Sequence, residues 1–276
     1  MSIPDLLVRR VRARNDAEKS ENAIHADDVA RRYGFGGGLV PGVTVYAYMS
    51  VLPARYWGED WVHRGTMSLR LIKPVYDGEE IEVRAVEHGG GSLLVEVVGP
   101  DGIVRASATA DLPEDAPPPP DVARFPATPL PDPEARPPAG EDVLAAVPLG
   151  AFDRRWDAAT AAAFMASIGE DADAWPFPQL APDGWLIRGA NDVLSRNVRL
   201  GPWIHVSSEI THHRGVPDGA QVLTRGRVAD LYQRKGHRFV ELDVVILADA
   251  DLAWSVRHVA IYQPRATPEE ADHPAP

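Results

Sequence analysis

Pro41-Gly42-Val43-Thr44-Val45-Tyr46-Ala47-Tyr48-Met49-Ser50-Val51-Leu52 carries no charged side chain from end to end. A helix this apolar cannot turn much of its circumference to water, so the rest of the fold must enclose it. Downstream come Trp61-Val62-His63, an alternating run to Ile72 and a turn at Asp77-Gly78. Period-two alternation bounded by turn residues predicts strands over residues 66–72, 80–87, 92–98 and 104–111, with Gly89-Gly90-Gly91 and Pro100-Asp101-Gly102 as hairpin turns. The same order recurs later. Asp183-Gly184 opens an apolar stretch from Trp185 to Leu194, then come Trp203-Ile204-His205 and a turn at Asp218-Gly219. The spacing from Gly42 to Trp61 equals that from Gly184 to Trp203. Strands are expected over residues 205–212, 221–231, 238–247 and 253–262. The repeat implies a duplicated α+β unit, each copy an antiparallel sheet wrapped around one long helix, and two such sheets can join edge to edge.

Between the copies, proline crowds residues 113–138, including Pro117-Pro118-Pro119-Pro120, amid Glu114, Asp115, Asp121, Asp132 and Glu134. Such a segment disfavours helix and strand and reads as a semi-extended linker. The expected organisation is therefore a first domain over 1–112, a linker over 113–145, a second domain over 146–265, and a disordered acidic tail over 266–276. The net charge of −12 argues against a nucleic-acid partner. A local group of arginines can still receive an anionic ligand. The chain has no cysteine, which removes thiolate chemistry and disulfides. No apolar run approaches a membrane span. Met1 to Arg10 is too weakly apolar for a signal peptide, so a cytoplasmic location is expected.

The segment with the most chemistry lies just before the first apolar helix. It runs Ser20-Glu21-Asn22-Ala23-Ile24-His25-Ala26-Asp27-Asp28-Val29-Ala30-Arg31-Arg32-Tyr33-Gly34-Phe35, then Gly36-Gly37-Gly38-Leu39-Val40-Pro41-Gly42. Here the chain resembles the MaoC-like (R)-specific enoyl-CoA hydratases and dehydratases. Their motif places Asp, a spacer, Asn-Pro, an apolar residue and His before a short Ala-rich helix with Gly-Phe, and a His-Gly pair starts the long helix. Asn22, His25, the Ala30 to Gly34-Phe35 helix and Gly42 match it. Two positions depart from it: the family's catalytic Asp is Ser20, and its Pro is Ala23. The resemblance is motif-level over about residues 20–48 and architectural elsewhere.

What the resemblance implies is a double hot-dog fold and a hydratase or dehydratase acting on an acyl thioester of coenzyme A or a carrier protein. That is an enzyme without a further cofactor or metal. Its site would be made within one chain, and homodimerisation is left open. The implied catalytic set is His25, Asn22, Ser20 and Gly42. In such a reaction Asp and His together activate the water, and Ser20 can hold a water without taking its proton. Histidine suits proton transfer near neutral pH. A helix beginning at Gly42 offers free amides and the positive end of its dipole to a thioester carbonyl. A simpler alternative makes His25 a cap and Pro41-Gly42 a turn. Glu21, Asp28, Gly38, Tyr46, Arg188 and His205 are candidate substrate contacts. Asp27 is expected to cap the short helix, and Gly36-Gly37-Gly38 to form a flexible rim.

The second copy has no Asn-x-x-His; its counterpart, Asp157 to Gly169, reads as an Ala-rich helix, so this copy is expected to complete the ligand tunnel as a degenerate partner. Arg188 and Asn191 share one helix face, and bonding to sheet edges or loop carbonyls is their simpler reading. His63 and His205 hold matching repeat positions, which favours a structural role for both. His212 and His213 alternate across a strand and cannot easily share one metal ion. Two other readings stay open: a hot-dog acyl-CoA thioesterase and a non-catalytic binder of acyl or other hydrophobic ligands.

Overall fold

The computed structural model describes residues 6–265. The acidic tail expected from Ala266 lies outside the described residues. Among the described residues, ten strands build one antiparallel sheet. In the first half they are β1 (Leu6–Arg12), β2 (Thr66–Leu71), β3 (Glu80–Glu87), β4 (Leu93–Val98) and β5 (Val104–Asp111). In the second they are β6 (Phe152–Arg155), β7 (Ile204–His212), β8 (Gln221–Arg234), β9 (His237–Ala248) and β10 (Asp251–Gln263). The strand order is β1-β3-β4-β5-β2-β7-β10-β9-β8-β6, so each half repeats the same pattern outward from the middle. The halves join where β2 pairs with β7, from Thr66 opposite Thr211 to Arg70 opposite Ser207.

Six helices are described: α1 (Asp27–Arg32), α2 (Gly42–Trp57), α3 (Asp60–Arg64), α4 (Glu141–Ala146), α5 (Ala158–Ser167) and α6 (Asp183–Ser195). Every residue of α2 from Val43 to Ala54 is buried. That is the outcome its uncharged run demands, with the first half's sheet closing around it. α6 is less uniformly apolar and keeps Arg188, Asn191 and Asp192 outside its buried set. The two long helices touch where a Cβ on Gly184 would lie 2.2 Å from the Ala47 Cβ, so glycine sets their close approach.

Three expectations need correction. Trp61-Val62-His63 lies on helix α3, whereas Trp203-Ile204-His205 runs from coil into strand β7. Equal spacing therefore conceals different local structure, and the two histidines are not equivalents. His63 is exposed and accepts from the Gly215 amide, while His205 is buried. The segment between the halves has no strand or α-helix over 113–138, as expected, but it is a strap pinned to the body: Phe125 is buried against Val245 and Leu247, Arg64 donates to the Pro113 and Glu114 carbonyls, and α4 forms at its end. Finally, β1 and β6 were not expected. Each pairs on one side only, with β3 and β8 respectively.

Candidate functional site

Asn22 starts a 3-10 turn, Ala23–His25, and caps it by accepting from the Ile24 amide. The turn presents the His25 ring. Its Nδ1 lies 2.7 Å from the Leu39 carbonyl oxygen. A carbonyl can only accept, so Nδ1 carries the proton and Nε2 the lone pair. Asn22 Nδ2 donates toward that Nε2 at 3.2 Å and to the Trp203 carbonyl at 3.0 Å, while its Oδ1 accepts from the Trp203 amide at 3.1 Å. One asparagine thus fixes the ring and ties the motif of the first half to a peptide of the second. Burial lowers the His25 pKa from 6.5, opposed by the Leu39 carbonyl and the Asp16 charge. The ring is therefore neutral at neutral pH, the form that can accept a proton.

Two cavities meet at this ring. One, of about 660 Å³, reaches α5, α6 and the strap. The other, of about 310 Å³, is mostly apolar, with Ile24, Phe35, Leu39, Val45 and Leu71 on its wall. Asn22, His25, Pro41, Asn191 and Trp203 line both. The N-terminus of α2 opens at the same place, with Val43 on the larger cavity and Gly42 on the smaller. No side chain caps α2, and its first internal bonds are donated by Thr44 and Val45 to the Pro41 carbonyl. The amides of Gly42 and Val43 precede those bonds and are the ones a ligand oxygen can use.

Gly42 is required by its surroundings. A Cβ there would lie 2.2 Å from Leu71 Cδ1 and 2.6 Å from His205 Nδ1. Overpacking of this kind costs roughly 1–3 kcal/mol. Gly42→Ala should lower the unfolding midpoint and also displace the α2 amides, which urea unfolding and a ligand-binding titration on one preparation would show. His205 itself is buried and its pKa is pushed down to about 4 by burial, against a backbone contact with Ser207. Its Nε2 lies 2.8 Å from Ser208 Oγ, which in turn lies 2.9 Å from His258 Nδ1, and the two imidazoles stack. Its Nδ1 has no partner.

The other expected site residues divide between these cavities and their surroundings. Ser20 is exposed on the rim of the larger cavity, with its hydroxyl 3.4 Å from the Asn22 carbonyl. Glu21 shares that rim but is bound by both terminal nitrogens of Arg136, which holds its carboxyl below the usual range. Asp28 is exposed on α1 and lines neither cavity. Asp27 does not cap α1, whose N-cap is Ala26; it accepts from the Gly38 amide and from Arg31. Gly38 lines neither of these two cavities, but with Gly36 and Gly37 it borders a separate one beside Tyr76 and Asp77. It is buried against the His25 backbone, where a Cβ would lie 2.1 Å from the carbonyl oxygen. Tyr46 is fully buried beside Asp183, away from both cavities. Arg188 and Asn191 do share a face, but that face lines the larger cavity and is not spent on sheet edges or loop carbonyls. His212 and His213 bond in different places, to the Trp61 carbonyl and to Ser255.

Sequence reasoning missed Asp16. Its carboxylate is nearly buried on the larger cavity, accepting from Thr44 Oγ1 at 2.7 Å and paired with Arg188. It precedes the motif segment and has no local pattern. Only the fold brings it to α2 and within electrostatic range of His25.

No protein-family model matches the sequence, and no curated protein does. Solved structures do resemble it. A Chloroflexus aurantiacus protein described as a MaoC domain dehydratase superposes with a TM-score of 0.58 at 9% identity, covering 96% of this chain and 97% of that one. A conserved protein from Mycobacterium tuberculosis with a double hotdog fold gives 0.57 at 11% identity, over 94% of this chain and 97% of that one. The fold is a double hot-dog. A third structure with this fold's likeness, described as a thioesterase II from Thermobifida fusca, gives 0.50 at 16% identity, over 93% and 92% of the two chains. The superpositions establish the double hot-dog architecture, and at identities this low activity has to be argued from the site.

Proposed function

We propose that this protein acts on an acyl thioester, adding water across the double bond of an enoyl thioester or removing it from the 3-hydroxyacyl form. The observation that carries the reading is the position of His25. A neutral, oriented imidazole stands where two cavities and the open N-terminus of α2 converge. A thioester carbonyl oxygen placed at the Gly42 and Val43 amides loses electron density to them, which makes the β carbon electrophilic. Nε2 of His25 takes a proton from a water, whose oxygen bonds to the β carbon. The electron pair of the double bond moves toward the carbonyl, and the α carbon then receives the proton from His25. Dehydration is the reverse. The incoming water has to share or displace the Asn22 contact to Nε2, which at 3.2 Å is longer than the bonds holding Asn22 and His25 to the backbone at Trp203 and Leu39. Asp16 stands in for the absent family carboxylate by supporting the imidazolium from a distance.

Incubation with crotonyl-CoA tests this, following loss of the enoyl absorbance and release of free thiol separately. Hydration without thiol release is expected. Thiol release without hydration would favour a thioesterase, and saturable binding with neither would favour a non-catalytic acyl binder. Asp16→Asn should move the acid limb of the pH–rate profile to lower pH, because the Asp16 charge raises the His25 pKa. An unmoved limb would remove Asp16 from this role.

A further inference from the structure

The larger cavity is cationic inside an acidic protein. Arg136, Arg154, Arg188 and Arg196 face it against the carboxylates of Asp16, Glu21 and Asp192. One positive charge is left over in a chain whose net charge is −12. The excess is concentrated at Arg154, on β6. Its guanidinium stacks on the Trp185 indole, 4.2 Å from the ring centre. Its nearest carboxylate, Asp192, is 3.8 Å away and is shared with Arg196 at 3.7 Å. Arg154 Nε is buried without a partner, as are Arg188 Nε and Asn191 Oδ1 on the same cavity. Arg154 Nη2 reaches only the Trp185 carbonyl, at 3.4 Å, so this half-buried cation, with a distant, shared counterion and an unused Nε donor, is stabilised when an anion completes it. Burial pulls its pKa down to about 10, with Arg196 and Arg188 adding like-charge repulsion.

We infer that this cavity binds an oxyanion, a carboxylate or phosphate, that belongs to the same ligand whose thioester reaches α2. Arg154 and Arg196 are its main holders. A planar guanidinium fork suits either group, and stacking on Trp185 orients it. The inference deepens the thioester reading and rests on it only for the ligand's identity. Two sources share this chemistry: a second carboxylate on the acyl chain, and a phosphate of the carrier arm.

The test is binding, read by fluorescence of the tryptophans at the cavity, Trp185 and Trp203, so it does not require turnover. The probes are inorganic phosphate, succinate, free CoA, butyryl-CoA and succinyl-CoA. Saturable binding of at least one is expected. Arg154→Met keeps an aliphatic stem over Trp185, and Arg196→Met alters a half-exposed neighbour. Each should weaken binding by about tenfold or more, the scale of one lost charge-assisted hydrogen bond. Arg10→Met, on an exposed edge, should change nothing. If succinyl-CoA binds more tightly than butyryl-CoA and loses that advantage in Arg154→Met, the anion is on the acyl chain. If CoA and both thioesters weaken equally, it is on the carrier arm. Either result supports the site. No response to any probe, or unchanged affinities in both folded variants, overturns it. Anion binding that persists where crotonyl-CoA is not hydrated would sink the hydratase reading alone.

Discussion

Replacing His25 with alanine should reduce hydration of a short enoyl thioester by about two orders of magnitude or more, the usual scale for losing a general acid or base. Folding should survive. The ring is partly exposed at a cavity junction, and its 3-10 turn is capped by Asn22 and anchored by the Asn15 amide on the His25 carbonyl, contacts that alanine leaves in place. The pH dependence supplies an independent reading. His25 acts as the neutral imidazole, and burial lowers its pKa below 6.5. The acid limb of kcat/KM should therefore lie below pH 6.5, and the rate should fall only as the ring protonates. His25→Gln keeps a polar side chain that cannot accept a proton near neutral pH, so it should be as inactive as alanine. An active wild type matched by either variant would end the assignment of His25 as the proton carrier.

What the sequence made legible, and what it did not, follows from the range of the interactions. α2 was readable because an uncharged run can only be enclosed, and the central strands because their alternation survives burial on one face. β1 and β6 escaped because edge strands pair once and need less pattern: Val8 of β1 is exposed while Val11 is buried, and β6 is only four residues long. His25, Asn22 and Gly42 were found together because one local segment carries them. Arg188 and Asn191 were found through helical spacing, and of the two readings open for them the cavity-facing one holds. Asp16 and Arg154 were invisible, since each acquires its meaning from residues far along the chain, Thr44 and Arg188 for one, Trp185 and Asp192 for the other. The Trp-x-His repeat misled because identical spacing was satisfied by a helix in one half and a strand in the other.

Asp183→Asn should change the pH dependence of stability strongly. α6 begins at Asp183 as α2 begins at Gly42, but here the helix start is filled and not open. The Asp183 carboxyl is 1% exposed. Its Oδ2 accepts from Trp61 Nε1 at 2.9 Å and lies 3.6 Å from His212 Nε2. His212 gives its Nδ1 proton to the Trp61 carbonyl, so Nε2 presents a lone pair, and burial pushes that ring's pKa down to about 3. No cation therefore faces Asp183. The dipole of α6 favours a charge at this end, but burial wins and raises the carboxyl pKa from 3.8 to about 8, with the Trp61 and Tyr46 contacts opposing. The folded protein thus keeps a proton that the unfolded chain releases above about pH 4. Stability from this group is full below that point, is lost as pH rises toward about 8, and is constant beyond, a total on the order of several kcal/mol. Asparagine stays neutral, can still accept from Trp61, and can donate to His212 Nε2. Its unfolding free energy relative to wild type should therefore climb between pH 4 and 8 and then level off, as urea unfolding at pH 5, 7 and 8.5 would record. Asp183→Ala, which strands the Trp61 N–H, should instead lose roughly 1–3 kcal/mol where wild type is protonated. A constant difference between asparagine and wild type across that range would mean that Asp183 ionises like an ordinary surface carboxylate.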